Sequence, residues 1–283
     1  MNVEYIVDSH VHLWDPASLR YPWLAGLPAL NRPFLPSDFA TASKASNISK
    51  WIFVECCCDS ADSLAEVDWI SELAKKEAHI HGIVAQAPLE KGEPVWVDLE
   101  KLAIRPLVKG IRRNLQGETR QDFCLSREFL AGTGLLKKFG LTFDLCLRHE
   151  QLLAATELVR RTPEVNFILD HFGKPDVRGG KLEPWTTHLK ALAKLPNVVC
   201  KFSGLTTEAD WKNWHPADLK PYFEQTLECF GFDRILFGGD WPVATQATSY
   251  ERWMDTVQSF LPFTKNADLT KVFQSNAERI YRV

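Results

Sequence analysis

The chain has 283 residues, of which 45% are apolar and 24% charged, and its 33 basic against 36 acidic side chains leave a net charge of −3. That composition excludes a disordered, collagen-like or coiled-coil chain, and the lack of a basic excess argues against a nucleic-acid partner. No run of about 18 apolar residues occurs, so no membrane span is expected. The seven cysteines include Cys56, Cys57 and Cys58 in a row but no C-x-x-C pair. An odd number without zinc spacing suits a reducing compartment. Met1 to Tyr5 reads as the lead into a strand rather than a signal peptide, which points to a cytoplasmic protein.

Eight short apolar runs rich in β-branched residues follow one another. They are 5–8, 51–54, 80–85, 107–111, 141–146, 166–169, 198–202 and 234–237. Continuous rather than alternating apolar character predicts strands buried on both faces of a parallel sheet. The segments between them carry helical spacing. Ser63 and Glu66 form a candidate capping box before Leu64, Val67, Ile70, Leu73 and Ala74. A stripe from Leu152 to Val159 stops near Pro163. Further helices are predicted over Pro221–Cys229, Tyr250–Leu261 and Leu269–Tyr281. Eight strands alternating with helices predict one (β/α)8 TIM-like barrel domain over residues 1–283. The connection from Leu13 to Thr41, with five prolines, is expected to lie as a rigid loop over one end.

Such barrels place their chemistry at the C-terminal ends of the strands. The first strand ends in Asp8-Ser9-His10-Val11-His12, where a side-chain period of two puts both imidazoles on one side. The second ends in Glu55 and the fourth in Arg112-Arg113-Asn114. Arg148-His149 follow the fifth. The sixth ends in Asp170-His171-Phe172-Gly173-Lys174, the seventh in Lys201-Phe202-Ser203-Gly204, and the eighth in Gly238-Gly239-Asp240-Trp241-Pro242. Each motif alone is weak. Three histidines and an aspartate at the ends of strands one, six and eight, with arginines at strand four, form a joint pattern that random placement would scatter. The histidines at 79, 81, 188 and 215 fall at strand starts, surface helices or loops and are expected to carry no chemistry. The Cys56–Cys58 run is read as buried small hydrophobes.

Val7 to Trp14, Tyr21-Pro22-Trp23-Leu24, Gly110 to Gln116, Leu169 to Pro175, Lys201 to Leu205 and Phe237 to Pro242 together resemble the sugar-lactonase branch of the amidohydrolase superfamily. The resemblance runs from residue 5 to about 280. It implies an amidohydrolase-type barrel and hydrolysis of a sugar-acid lactone, an aldonolactone, to the hydroxy acid. It makes Asp240 the general base on the attacking water. His10, His12 and His171 would polarise the lactone carbonyl or hold a metal that does so, and Arg112 would bind substrate oxygens. Arg113, Trp14 and Trp241 are expected near the substrate, as a positive mouth and as stacking or lid side chains, with loop packing the other role open to the tryptophans.

Any metal would be one divalent ion, zinc, on His10, His12, His171 and Asp240. The arginines at strand four and the lack of a histidine directly after strand five argue that none is required. Without one, activity is expected to respond where histidine titrates. The alternatives are a zinc-dependent decarboxylase or amidohydrolase on the same barrel, or an inactive sugar-acid binder.

Overall fold

The computed structural model describes residues 3–261 and 264–283; Met1 and Asn2, part of the expected N-terminal lead, lie outside them. Eight strands run in parallel: β1 (Ile6–Val11), β2 (Ile48–Val54), β3 (Ile80–Gln86), β4 (Val108–Arg112), β5 (Thr142–Leu145), β6 (Phe167–Leu169), β7 (Val198–Phe202) and β8 (Ile235–Phe237). They pair in sequence order from β1 to β8, as helical crossovers between parallel neighbours require. The ring meets itself through residues just past β8. Asp240 N–H donates to His10 O at 2.9 Å and His12 N–H to Trp241 O at 2.8 Å.

Ten helices are described: α1 (Pro36–Ala42), α2 (Ser63–Ala74), α3 (Trp96–Ala103), α4 (Arg127–Phe139), α5 (Leu152–Arg161), α6 (Trp185–Ala193), α7 (Pro216–Phe230), α8 (Tyr250–Ser259), α9 (Asn266–Thr270) and α10 (Asn276–Tyr281). Among the described residues no helix is long and apolar enough to cross a membrane. Three differences from the sequence expectation have local causes. The box of Ser63 and Glu66 does not form, because Glu66 turns inward and accepts from Cys56 N–H at 3.3 Å. Helix α7 starts five residues before Pro221, since Pro216 pre-sets the first turn and Asp218 accepts from His215 N–H at 2.8 Å. The last helix is interrupted by a wider π-turn at Lys271–Ser275, after which Asn276 donates to Phe232 O and Ile235 O.

Two apolar layers result. The larger lies between strands and helices. The smaller fills the barrel interior with Val7, Ile52, Val54, Val84, Ile168, Val199 and Leu236, plugged from below by Ala277 and Tyr281 of α10. Val7 points inward although it lies three residues from His10. The pairing of β1 with β2 shifts register between Asp8 and Val11, and that irregularity turns His10 and His12 inward as well.

Candidate active site

Backbone strain gathers at the C-terminal ends of the strands, where the candidate residues lie. Among the described residues, non-glycine residues with positive φ are Cys57, His171, Phe172, Lys174, Asp240 and Arg282. All but Arg282 follow the C-terminal ends of β2, β6 and β8. Each such residue costs of order 1–3 kcal/mol and persists where its surroundings over-determine it. Gly204 completes the wall: its φ is +60°, and a Cβ there would sit 2.4 Å from His171 Nδ1 and 2.7 Å from Asp240 Oδ2.

The seam between β8 and β1 brings Asp240 against the histidines. Asp240 Oδ1 lies 3.4 Å from His12 Nε2, 3.8 Å from His10 Nε2 and 3.9 Å from His171 Nε2. The two Nε2 atoms of His10 and His12 are 3.2 Å apart. All four side chains are buried. His12 Nδ1 lies 2.7 Å from Val54 O; a carbonyl only accepts, so Nδ1 carries the hydrogen and Nε2 presents a lone pair. His171 Nδ1 meets Ser203 Oγ at 2.9 Å. Burial alone would raise the Asp240 carboxyl, but His171, His12 and His10 hold it well below the usual carboxylate range. Burial, followed for His10 by the Lys201 charge, pushes His10 well down, and burial takes His171 to about 4. Both imidazoles are therefore neutral at neutral pH, and their titration moves from the usual histidine range into acid.

Arg112 stands beside this group. Its Nε donates to Glu55 Oε1 at 2.6 Å and its Nη2 to Glu55 O, while Nη1 lies 3.4 Å from His10 Nε2 and 3.5 Å from Asp170 Oδ2. On the other face of His10 lies Lys201 of β7, fully buried. Its Nζ is 2.5 Å from Asp144 Oδ2, 3.0 Å from Asp170 Oδ1 and 3.1 Å from His10 Nδ1. Tyr281 donates to Asp144 Oδ2 at 2.8 Å from the opposite side. Burial would lower the Lys201 ammonium, but Asp144 and Asp170 outweigh it and raise it.

The structure thus brings together His10, His12, His171, Asp240 and Arg112. Arg113 is not among them: it turns away to Glu90 at 3.0 Å and Glu118 at 2.7 Å. Trp14 is buried and donates to Leu30 O at 3.0 Å inside the long loop. Trp241 is buried between Phe34 and Phe39, so both tryptophans pack the loop core. Lys174 pairs with Glu208 at 3.1 Å. Cys56 Sγ lies 3.6 Å from His12 Nδ1 but donates to Leu13 O at 3.2 Å. Burial, with Glu66 and Glu55 adding to it, keeps that thiol protonated. Sequence reasoning gave no role to Lys201, Asp144, Asp170 or Ser203. The available signal was a charged residue inside an apolar parallel strand, which is rarely buried unless paired.

The donors fit a metal. Ligand atoms 2.0–2.1 Å from a tetrahedral zinc lie about 3.3 Å from one another, close to the spacings among His10, His12 and Asp240, and those three form one of two such groups among the described residues. The other joins His10, Asp170 and His171.

The amidohydrolase family profile matches residues 7–283, and the chain belongs to that family. It is 32% identical over 276 residues to an L-fucono-1,5-lactonase of Burkholderia multivorans, covering 88% of each chain. A second L-fucono-1,5-lactonase, from Burkholderia ambifaria, is 28% identical over 98% of this chain and 95% of its own. A Burkholderia multivorans amidohydrolase solved with bound zinc superposes with a TM-score of 0.89 at 30% identity, over 99% of both chains. Its fold confirms the (β/α)8 barrel expected from the strand pattern and the amidohydrolase type that the resemblance implied.

Proposed function

We propose that this amidohydrolase hydrolyses the lactone of a sugar acid, opening an aldonolactone to its hydroxy acid, in cytoplasmic carbohydrate breakdown. The two relatives named as lactonases support the ester class. The single observation that carries the mechanism is a buried Asp240 within 3.9 Å of three imidazoles.

Lactone hydrolysis needs a deprotonated water and a sink for the oxyanion. Asp240 accepts a proton as the water oxygen bonds to the carbonyl carbon. The carbonyl π-pair moves to oxygen, where N–H donors of His10 and His171 and the Nη1 of Arg112 stabilise it; removing one such donor typically costs about 10²–10³ in rate. Collapse breaks the ring C–O bond, and Asp240 returns its proton to the leaving alkoxide. His12, where its Nε2 presents a lone pair, accepts a hydrogen from the attacking water. A divalent metal held by His10, His12, His171 and Asp240 would supply Lewis-acid polarisation and a more acidic water. We propose that none is required, because the Arg112 guanidinium already stands at 3.4 Å from the His10 Nε2 that would bind it.

The test is proton release on a panel of five- and six-membered aldonolactones. At least one is expected to be turned over with kcat/KM above about 10⁴ M⁻¹s⁻¹. Failure to hydrolyse any lactone above the buffer rate overturns the reading and favours a binder.

A further inference from the structure

An ammonium has three hydrogens and no acceptor. Lys201 Nζ donates to Asp144 Oδ2 at 2.5 Å and meets His10 Nδ1 at 3.1 Å, while Asp170 Oδ1 at 3.0 Å is an ion-pair contact without a hydrogen bond. If His10 Nδ1 carried its own hydrogen, an N–H would face the ammonium at 3.1 Å. The Nε2 lone pair of His10 would then also face that of His12 across 3.2 Å, since His12 is fixed with its hydrogen on Nδ1 by Val54 O. The other tautomer removes both conflicts: Lys201 donates to Nδ1, and His10 Nε2–H, directed at His12 while no substrate oxygen is bound, is the hydrogen His10 offers to the site. Arg112 Nη1, 3.4 Å from His10 Nε2, also offers only hydrogens, but it has Asp170 Oδ2 as acceptor at 3.5 Å and leaves the His10 Nε2–H to the closer His12.

We propose that Lys201 is a positioning residue that holds His10 as the Nε2–H tautomer, making His10 a hydrogen-bond donor to the site and withholding it as a metal ligand. Asp170 is the counterweight. Its Oδ1 lies 3.4 Å from His10 Nδ1 and, without the ammonium between them, would accept an Nδ1–H. That is the carboxylate–histidine pair that commonly stands behind a metal-binding imidazole. The same pocket thus has two states, a donor state set by Lys201 and a ligand state set by Asp170.

The experiment compares the metal-free wild type with Lys201→Met/Asp144→Asn, which removes the ammonium and one carboxylate together. Zinc affinity is read by competition with a chromophoric chelator. The His10 tautomer is read from ¹⁵N-histidine spectra, with His10 assigned through His10→Gln. The wild type is expected to show a protonated Nε2. The double variant is expected to move the proton to Nδ1 and to bind zinc about 10- to 100-fold more tightly, the usual weight of such outer partners. Equal zinc affinity in both proteins, or a wild-type His10 protonated at Nδ1, overturns the proposal. Should the double variant fail to fold, the wild-type spectrum decides alone. Neither readout involves a lactone, so this inference and the lactonase reading fail separately.

Discussion

The two ends of the barrel are built from the same eight strands and are opposites in chemistry. The lower end is apolar, with Val7, Ile52, Val84, Ile168 and Leu236 closed off by Ala277 and Tyr281. The upper end buries His10, His12, Glu55, Arg112, Asp170, His171 and Asp240 and carries left-handed backbone at Cys57, His171, Phe172, Lys174 and Asp240. Buried charges and strained residues cost stability, whereas each interior aliphatic side chain contributes about 1.5–3 kcal/mol. The lower end therefore stabilises what the upper end spends, and the two should answer to different assays. Lys201, with Asp144 and Tyr281 below it and His10 above, lies at the boundary.

The sharpest break is Asp240→Asn. Loss of a general base costs about 10²–10⁴ in kcat, with the melting temperature kept; a variant retaining more than about a tenth of wild-type kcat removes Asp240 from that role. Arg112→Met should act on both assays. It leaves Glu55 buried without its cation, which typically costs about 3–5 kcal/mol, and it raises KM at least as much as it lowers kcat. Adding Glu55→Gln should restore stability but not KM. A restored KM would make Arg112 a structural partner only.

Glu66→Gln tests the upper end through pH. Burial, with Glu55 adding to it, pushes Glu66 up to about 8. An acid raised on folding keeps its proton in the folded state while the unfolded chain loses it near 4.3, so stability falls as pH rises between those values. The slope is at most about 1.4 kcal/mol per pH unit. Between pH 5 and 8, the wild type should lose stability relative to Glu66→Gln in denaturant titrations; parallel curves would show that Glu66 ionises normally. The smallest effect belongs to the lower end. Ile168→Val should cost about 0.5–1.5 kcal/mol with kcat unchanged, and a fall in kcat would mean the two ends are coupled.

How far the sequence reached follows from periodicity. His10 and His12 share a side because they are two apart, and Asp240 was legible because it follows a short apolar strand. Arg113 lies one residue past the end of β4; continuing the strand's alternation from an inward Arg112 sends it outward, where it meets Glu90 and Glu118. The roles of Trp14 and Trp241 depend on how the long loop closes, through Leu30 O and Phe34, which no local spacing encodes. Lys201 and Asp144 sit on strands that do not pair with one another, and their meeting across the barrel interior is visible only once the ring has closed.

The central claim is that Asp240, the imidazoles and Arg112 suffice for the chemistry at the upper end. It is tested most directly by kcat/KM on the best lactone before exhaustive chelation, after it, and after zinc is added back, with metal content followed by elemental analysis. The chelated enzyme should keep most of its activity even where zinc is found in the purified protein. Loss of activity on chelation, with full recovery at stoichiometric zinc, would contradict it.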